Sequence, residues 1–121
     1  MTVKLKSIIQ AIPALAKLSA GDLTLRTAYD LQKSVNALQK EADFFTERRD
    51  KIFNKYGERQ NDGSFRFEKE NENTAVAELE ALLSLEVTPD CERVRIPLTE
   101  DVKISANDLG VLLPFVEFAE T

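Results

Sequence analysis

A chain of 121 residues, 43% hydrophobic and 31% charged, has room for one core and contains no apolar run near the ~20 residues that a membrane span needs. It has no histidine, which removes the commonest general base, the Ser-His and Cys-His nucleophile pairs and almost every zinc site. The formal charge of -5 is divided unevenly: residues 1–66 carry 12 Lys/Arg and 8 Asp/Glu, whereas residues 67–121 carry 4 and 13. The two halves attract each other, either within one chain or head to tail between copies.

At the N-terminus two lysines precede an apolar patch, as in a signal peptide. Pro13 and Lys17 interrupt that patch, and its residues recur at helical spacing, so it reads as a packed segment. Val3 and Leu5 alternate with Lys4 and Lys6 as a short edge strand would. Ser7 and Gln10 then have capping-box spacing ahead of Ile8, Ile12, Leu15 and Leu18, and Pro13 predicts two short helical pieces.

The strongest signal runs over about residues 24–57. Ala28, Leu31, Val35, Leu38, Ala42, Phe45, Arg49, Ile52 and Tyr56 step alternately by 3 and 4, a heptad seam that ends at Gly57, where a helix C-terminal glycine belongs. At ~1.5 Å per residue such a helix is roughly 45 to 50 Å long, more than the diameter of about 35 Å expected for a compact domain of this size. Its seam must therefore be covered along an elongated body or by a second subunit. Asn61, Asp62 and Gly63 mark the turn of a hairpin over about 58–68, with Phe65 and Phe67 alternating around Arg66. Helical period returns over about 73–87 with Asn71 or Asn73 as cap. Short strands are expected within 93–104, around Val94, Ile96, Val102 and Ile104. Ser105 and Asp108 then open a C-terminal helix over about 106–118, stopped or kinked near Pro114. The fold class is α+β, mainly α, in a single domain: a long central helix, shorter helices packed along it and a small antiparallel β-sheet.

Little chemistry is available to this chain. Cys91 has no CxxC partner, and Asp90 and Glu92 beside it oppose a reactive thiolate; a lone cysteine suits a reducing cytoplasm. Glu100 with Asp101, and Glu68, Glu70 and Glu72, match no dedicated cation loop and read as a solvated acidic face. No GxGxxG or GxxxxGK[ST] loop is present. No cofactor, metal or enzymatic activity is expected.

Two sets of residues remain as candidate interaction sites. Leu38, Phe45, Ile52 and Tyr56 form the apolar seam, and Phe44, roughly 160° from Ala28 around the helix, needs a second surface to cover it: the hairpin and C-terminal helix, or another molecule. Arg48, Lys51, Lys55 and Arg59 are spaced by 3, 4 and 4 as a basic patch on one helix face, with Lys40 and Arg49 nearby. Interleaved Glu47, Asp50 and Glu58 and the acidic total disfavour direct nucleic-acid binding. Arg49 on the seam requires solvent or an acidic partner, with Glu78 or Glu80 as candidates.

The order of segments resembles a group of small uncharacterised proteins encoded by tailed phages and prophages. The likeness rests on "AIPALAKL", the helix "RTAYDLQKSVNALQKEADFF" ending in "KYGE", the "NDGSFRF" hairpin and "ISANDLGVLLPFVE". It covers most of the chain and consists of packing and turn residues, so it imports no catalytic position. It implies a phage or prophage protein in the cytoplasm of the bacterial host or associated with the virion. Such a protein would act through protein–protein interaction in particle assembly or on host machinery. The expected partners are a second copy through the long helix and a phage or host protein. The alternative is a small acidic inhibitor of a host nucleic-acid-binding protein, presenting Glu68, Glu70, Glu72, Glu78 and Glu80.

Overall fold

The computed structural model describes residues 1–100 and 102–119. Its elements run β1 (Val3–Lys4), α1 (Leu5–Ser19), α2 (Leu25–Tyr56), β2 (Gly57–Arg59), β3 (Phe65–Phe67), α3 (Lys69–Leu83), β4 (Glu86–Val87), β5 (Val94–Pro97), α4 (Ala106–Leu112) and β6 (Val116–Ala119). The mainly helical α+β class agrees with the sequence reading. With neither glycine nor proline in 32 residues, α2 is one unbroken helix of about 48 Å.

The core lies where α1, α4 and β5 meet the first two-thirds of α2. Leu5, Ile8 and Leu15 of α1, Leu31 and Leu38 of α2, Ile96, Leu112, Phe115 and Val116 are fully buried in one cluster. Each such side chain contributes roughly 1.5–3 kcal/mol by leaving water. The stripe that α2 buries is Thr27, Leu31, Ser34, Leu38, Ala42 and Phe45. Thr27 and Ser34 take the places expected for Ala28 and Val35 because partners wait for their hydroxyls. Thr27 donates to Glu100 Oε1 at 2.8 Å, and Ser34 donates to the Glu92 carbonyl at 3.3 Å.

Several local expectations are revised. α1 is continuous through Pro13. A proline inside a helix costs about 3 kcal/mol, but Pro13 faces solvent, and the opposite side of α1 buries Ile8, Ala11, Ala14, Leu15 and Leu18, which outweighs the lost bond. Ser7 does not cap it. The helix starts at Leu5, and the Leu5 N–H is satisfied by the Leu85 carbonyl at 2.8 Å beside the antiparallel β1–β4 pair. α3 begins and ends four residues earlier than predicted, with Glu68 and not Asn71 or Asn73 at its N-cap and Glu70 and Glu72 complementing the positive end of the helix dipole.

Among the described residues of the 93–104 region only 94–97 form a strand. Its partner is β6, so the predicted helix to 118 stops at Leu112. Pro114 lacks the N–H that a continuing helix needs, and the residues after it turn into β6. The β5–β6 pair is parallel, Val94 facing Val116 and Ile96 facing Phe118, with α4 as the crossover that parallel strands require; the β2–β3 hairpin is antiparallel as predicted. Ser105 caps α4 as the spacing predicted, accepting from the Asp108 N–H at 3.1 Å.

Candidate functional site

Past Phe45 the surroundings of α2 change. On one side the β2–β3 hairpin folds back and packs Phe65 and Phe67 on Phe53, ring centroids 5.7 Å apart in each case. Gly57 makes this possible, though not as a left-handed helix cap. Its backbone is extended (φ -108°), and a Cβ there would lie 2.8 Å from Phe67 Cε1 and 2.9 Å from the Phe53 carbonyl oxygen. The helix passes straight into β2 because that ring needs the space. At the hairpin tip the left-handed position is Gly63 (φ 89°), beside Asp62, whose carboxylate accepts from the Ser64 hydroxyl at 2.6 Å and the Ser64 N–H at 3.0 Å. Those bonds hold the Asp62 carboxyl below the usual range.

On the other side α3 runs back along α2, fixed by Tyr56 Oη donating to Glu78 Oε1 at 3.0 Å. Between the two helices lies an open groove of about 450 Å³. Arg48, Lys51 and Lys55 form its α2 wall, Glu78 and Ala81 stand on the α3 wall, and Ile52, Leu82 and Leu85 form the floor. Phe44 precedes Arg48 by one turn, and the spacing 44, 48, 51, 55 continues the basic wall into an aromatic one. It is 41% exposed and Leu85 is 44% exposed. Lys51 leans on Glu47 at 3.7 Å, and Lys55 Nζ sits 5.1 Å from the Tyr56 ring centroid. Contact with Tyr56, helped by Glu78, holds the Lys55 ammonium above its ordinary range.

The sequence-derived site residues therefore separate. Leu38, at 0% exposure, and Phe45, at 8%, are packed inside the chain; Ile52 and Tyr56 are half-buried along α3; Phe44 stays exposed. Arg48, Lys51 and Lys55 come together, but Arg59 does not join them, because the helix ends at Tyr56 and Arg59 lies on β2. Arg49 meets Asp50 at 3.4 Å, not Glu78 or Glu80, and its guanidinium lies about 6 Å from the Phe45 and Phe53 ring centroids (5.9 and 6.0 Å). Leu82, Leu85 and Ala81 were missed as site residues. The signal for them was the apolar period of the α3 segment, which runs on to Leu85 after its buried face has ended.

A larger cleft of about 750 Å³ lies between the first half of α2 and residues 89–95. Its lining is mainly polar: Arg26 pairs with Asp30 along α2 at 3.2 Å, Arg93 donates to the Leu113 carbonyl at 3.0 Å, and the Ser34 hydroxyl bonds across to the Glu92 carbonyl at 3.3 Å. Cys91 sits there with its thiol pushed up, in the expected direction, chiefly by burial and in smaller part by the Asp90 charge. Glu100, considered above as a cation ligand, instead accepts from the Thr24 hydroxyl, from the Thr24 N–H at 3.1 Å and from Thr27, next to the N-terminus of α2. Asp101 lies outside the described residues. Among the described residues no group of three or more His, Cys, Asp or Glu could hold a metal ion, and no helix is long and apolar enough to cross a membrane. Family models, curated proteins and solved structures were all compared with the chain, and none matches.

Proposed function

We propose that this chain is a non-enzymatic binding protein of a phage or prophage, acting through protein–protein interaction in particle morphogenesis. The observation that carries the binding reading is the groove between α2 and α3. It joins an apolar floor of Ile52, Leu82 and Leu85 to a cationic wall on one helix, and one turn before Arg48 the same helix carries Phe44, 41% exposed. A floor of this kind gains affinity by desolvation, while the charged wall selects orientation and partner. The lack of histidine and of any acid–base or nucleophile constellation supports binding over catalysis. The phage context comes from the resemblance in segment order.

Deleting the gene from its prophage and imaging the particles after induction tests this. Defective or absent particles, rescued by the wild-type chain and not by Phe44→Glu, are the expected result. Normal particles with full infectivity would refute a role in assembly. A second reading, the acidic inhibitor, draws support from exposed Glu70, Glu72 and Glu80 on α3, although Glu78 is engaged by Tyr56. It requires a basic host partner whose capture is lost as salt rises.

A further inference from the structure

We infer that the α2–α3 groove takes two turns of an acidic amphipathic helix from a partner protein, with its apolar residues on the floor and its carboxylates against the α2 wall. This names the chemistry of the partner for the binding site proposed above and rests on that reading.

Charge complementarity carries the inference. The groove is lined by three cations, Arg48, Lys51 and Lys55, and by one carboxylate, Glu78, which already accepts from Tyr56 Oη. All three cations are exposed and lightly held. Among the described residues Arg48 has no ion pair. Lys51 Nζ lies 3.7 Å from Glu47 in an exposed i, i+4 pair, weak enough for a partner's carboxylate to replace it, and Lys55 Nζ faces the Tyr56 ring at 5.1 Å. The chain as a whole carries a charge of -5, so this strip is a local cationic feature and not part of a basic surface.

The dimensions select a helix. The α2 lining residues step by 3, 1 and 3 from Arg48 to Lys55, and those of α3 step identically from Glu78 to Leu85. Each wall is therefore two turns long, about 10 Å at ~1.5 Å per residue. Two helices side by side leave a trough in which a third packs through residues at i, i+3, i+4 and i+7. Carboxylates beside that apolar stripe repeat with the same pitch as the three cations.

Two other occupants match fewer of these features. A nucleic acid would engage the cations, but it has no use for the floor of Ile52, Leu82 and Leu85, and its phosphates would face an acidic chain. The same groove of a second copy would bring three cations against three.

The test is fluorescence anisotropy with a labelled synthetic peptide of about 18 residues, long enough to be helical, carrying a leucine stripe flanked by glutamates. A companion peptide has lysine at every glutamate, and a labelled single-stranded DNA oligonucleotide serves as a third probe. Circular dichroism confirms the fold of each variant. Wild type is expected to bind the glutamate peptide and to bind the lysine peptide at least roughly 10-fold more weakly. Lys51→Glu with Lys55→Glu should weaken the glutamate peptide roughly 10- to 100-fold and strengthen the lysine peptide. Arg48→Glu, at an exposed position with no ion pair to lose, should act in the same direction with a smaller size. Leu85→Ala keeps the bond from the Leu5 N–H to the Leu85 carbonyl, and it should weaken the glutamate peptide roughly 3- to 10-fold while leaving the salt dependence unchanged.

No binding of the glutamate peptide at ~1 mM would overturn the inference, as would binding that neither charge variant weakens. Tighter binding of the oligonucleotide, lost in the same variants, would assign the groove to nucleic acid. A wild-type dimer in sedimentation equilibrium that Arg48→Glu dissociates would assign it to a second copy. If the peptide fails to bind and the Phe44→Glu chain still does not support particle assembly, the acidic occupant falls and the binding function stands. If the peptide binds as expected and particles form normally without the gene, the occupant stands and the role in assembly falls.

Discussion

The two ends of α2 are built from the same kind of helix and meet different fates. Around Leu31 and Leu38 the helix is enclosed by α1, β5 and the segment leading to β6, and even its buried hydroxyls are engaged. Beyond Phe45 it is supported by a three-residue-stranded hairpin on one flank and by α3 on the other, and one strip is left open. The difference shows that a regular heptad pattern reports apolar surface and says nothing about who covers it. The first half is covered by sequence-distant segments, the second only in part.

The most direct way to break the comparison is to damage the enclosed half. Leu38→Ala should lower unfolding free energy by about 2–5 kcal/mol in a urea titration, because the side chain is at 0% exposure and its cavity cannot be filled by solvent. Next comes the junction at Gly57: Gly57→Ala drives a Cβ into Phe67 and should cost about 1–3 kcal/mol, with changed near-ultraviolet dichroism from the Phe53, Phe65 and Phe67 cluster. Tyr56→Phe removes one hydrogen bond to Glu78 and is expected to cost about 0.5–1.5 kcal/mol.

A smaller effect is read best from the pH dependence. The Thr24 hydroxyl and N–H, with the Thr27 hydroxyl, hold the Glu100 carboxyl below its ordinary range. That stabilisation is present above the unfolded-state carboxylate pKa and is lost as pH falls through the folded value. Glu100→Gln should therefore lower stability modestly near pH 7, where the ionised carboxylate contributes, and approach wild type at acid pH, flattening the acid limb of a stability–pH profile. Smallest of all, Phe44→Ala should leave the unfolding free energy from a urea titration within about 0.5 kcal/mol of wild type, since its ring is 41% exposed. A large loss of stability in that variant would mean that Phe44 is a core residue after all.

Helical periodicity and turn chemistry made the long helix, the Asn61–Gly63 hairpin and the Ser105 cap legible, because each depends on residues close together in the chain. The departures arise where a distant segment decides the outcome. Pro13 is tolerated because of what α1 packs against. Val102 and Ile104 have the alternation of a strand, yet residues 116–119 take the place beside β5. Thr27 and Ser34 could not be placed inside without knowing that Glu100 and the Glu92 carbonyl come to meet them. For the candidate site, Arg48, Lys51, Lys55 and Ile52 were visible from spacing on one helix, whereas the opposing wall from α3 required the antiparallel docking fixed by Tyr56 and Glu78.

The parallel pairing of β5 with β6 also orders events in time. Phe115 and Val116 are among the most deeply buried side chains, and Val116 is the first residue of β6. A ribosome making this chain from its N-terminus releases α1 and α2 long before the residues that seal them together. Until then the greasy flank of α1 stays available to chaperones or to premature aggregation, and folding must wait for synthesis to pass residue 119.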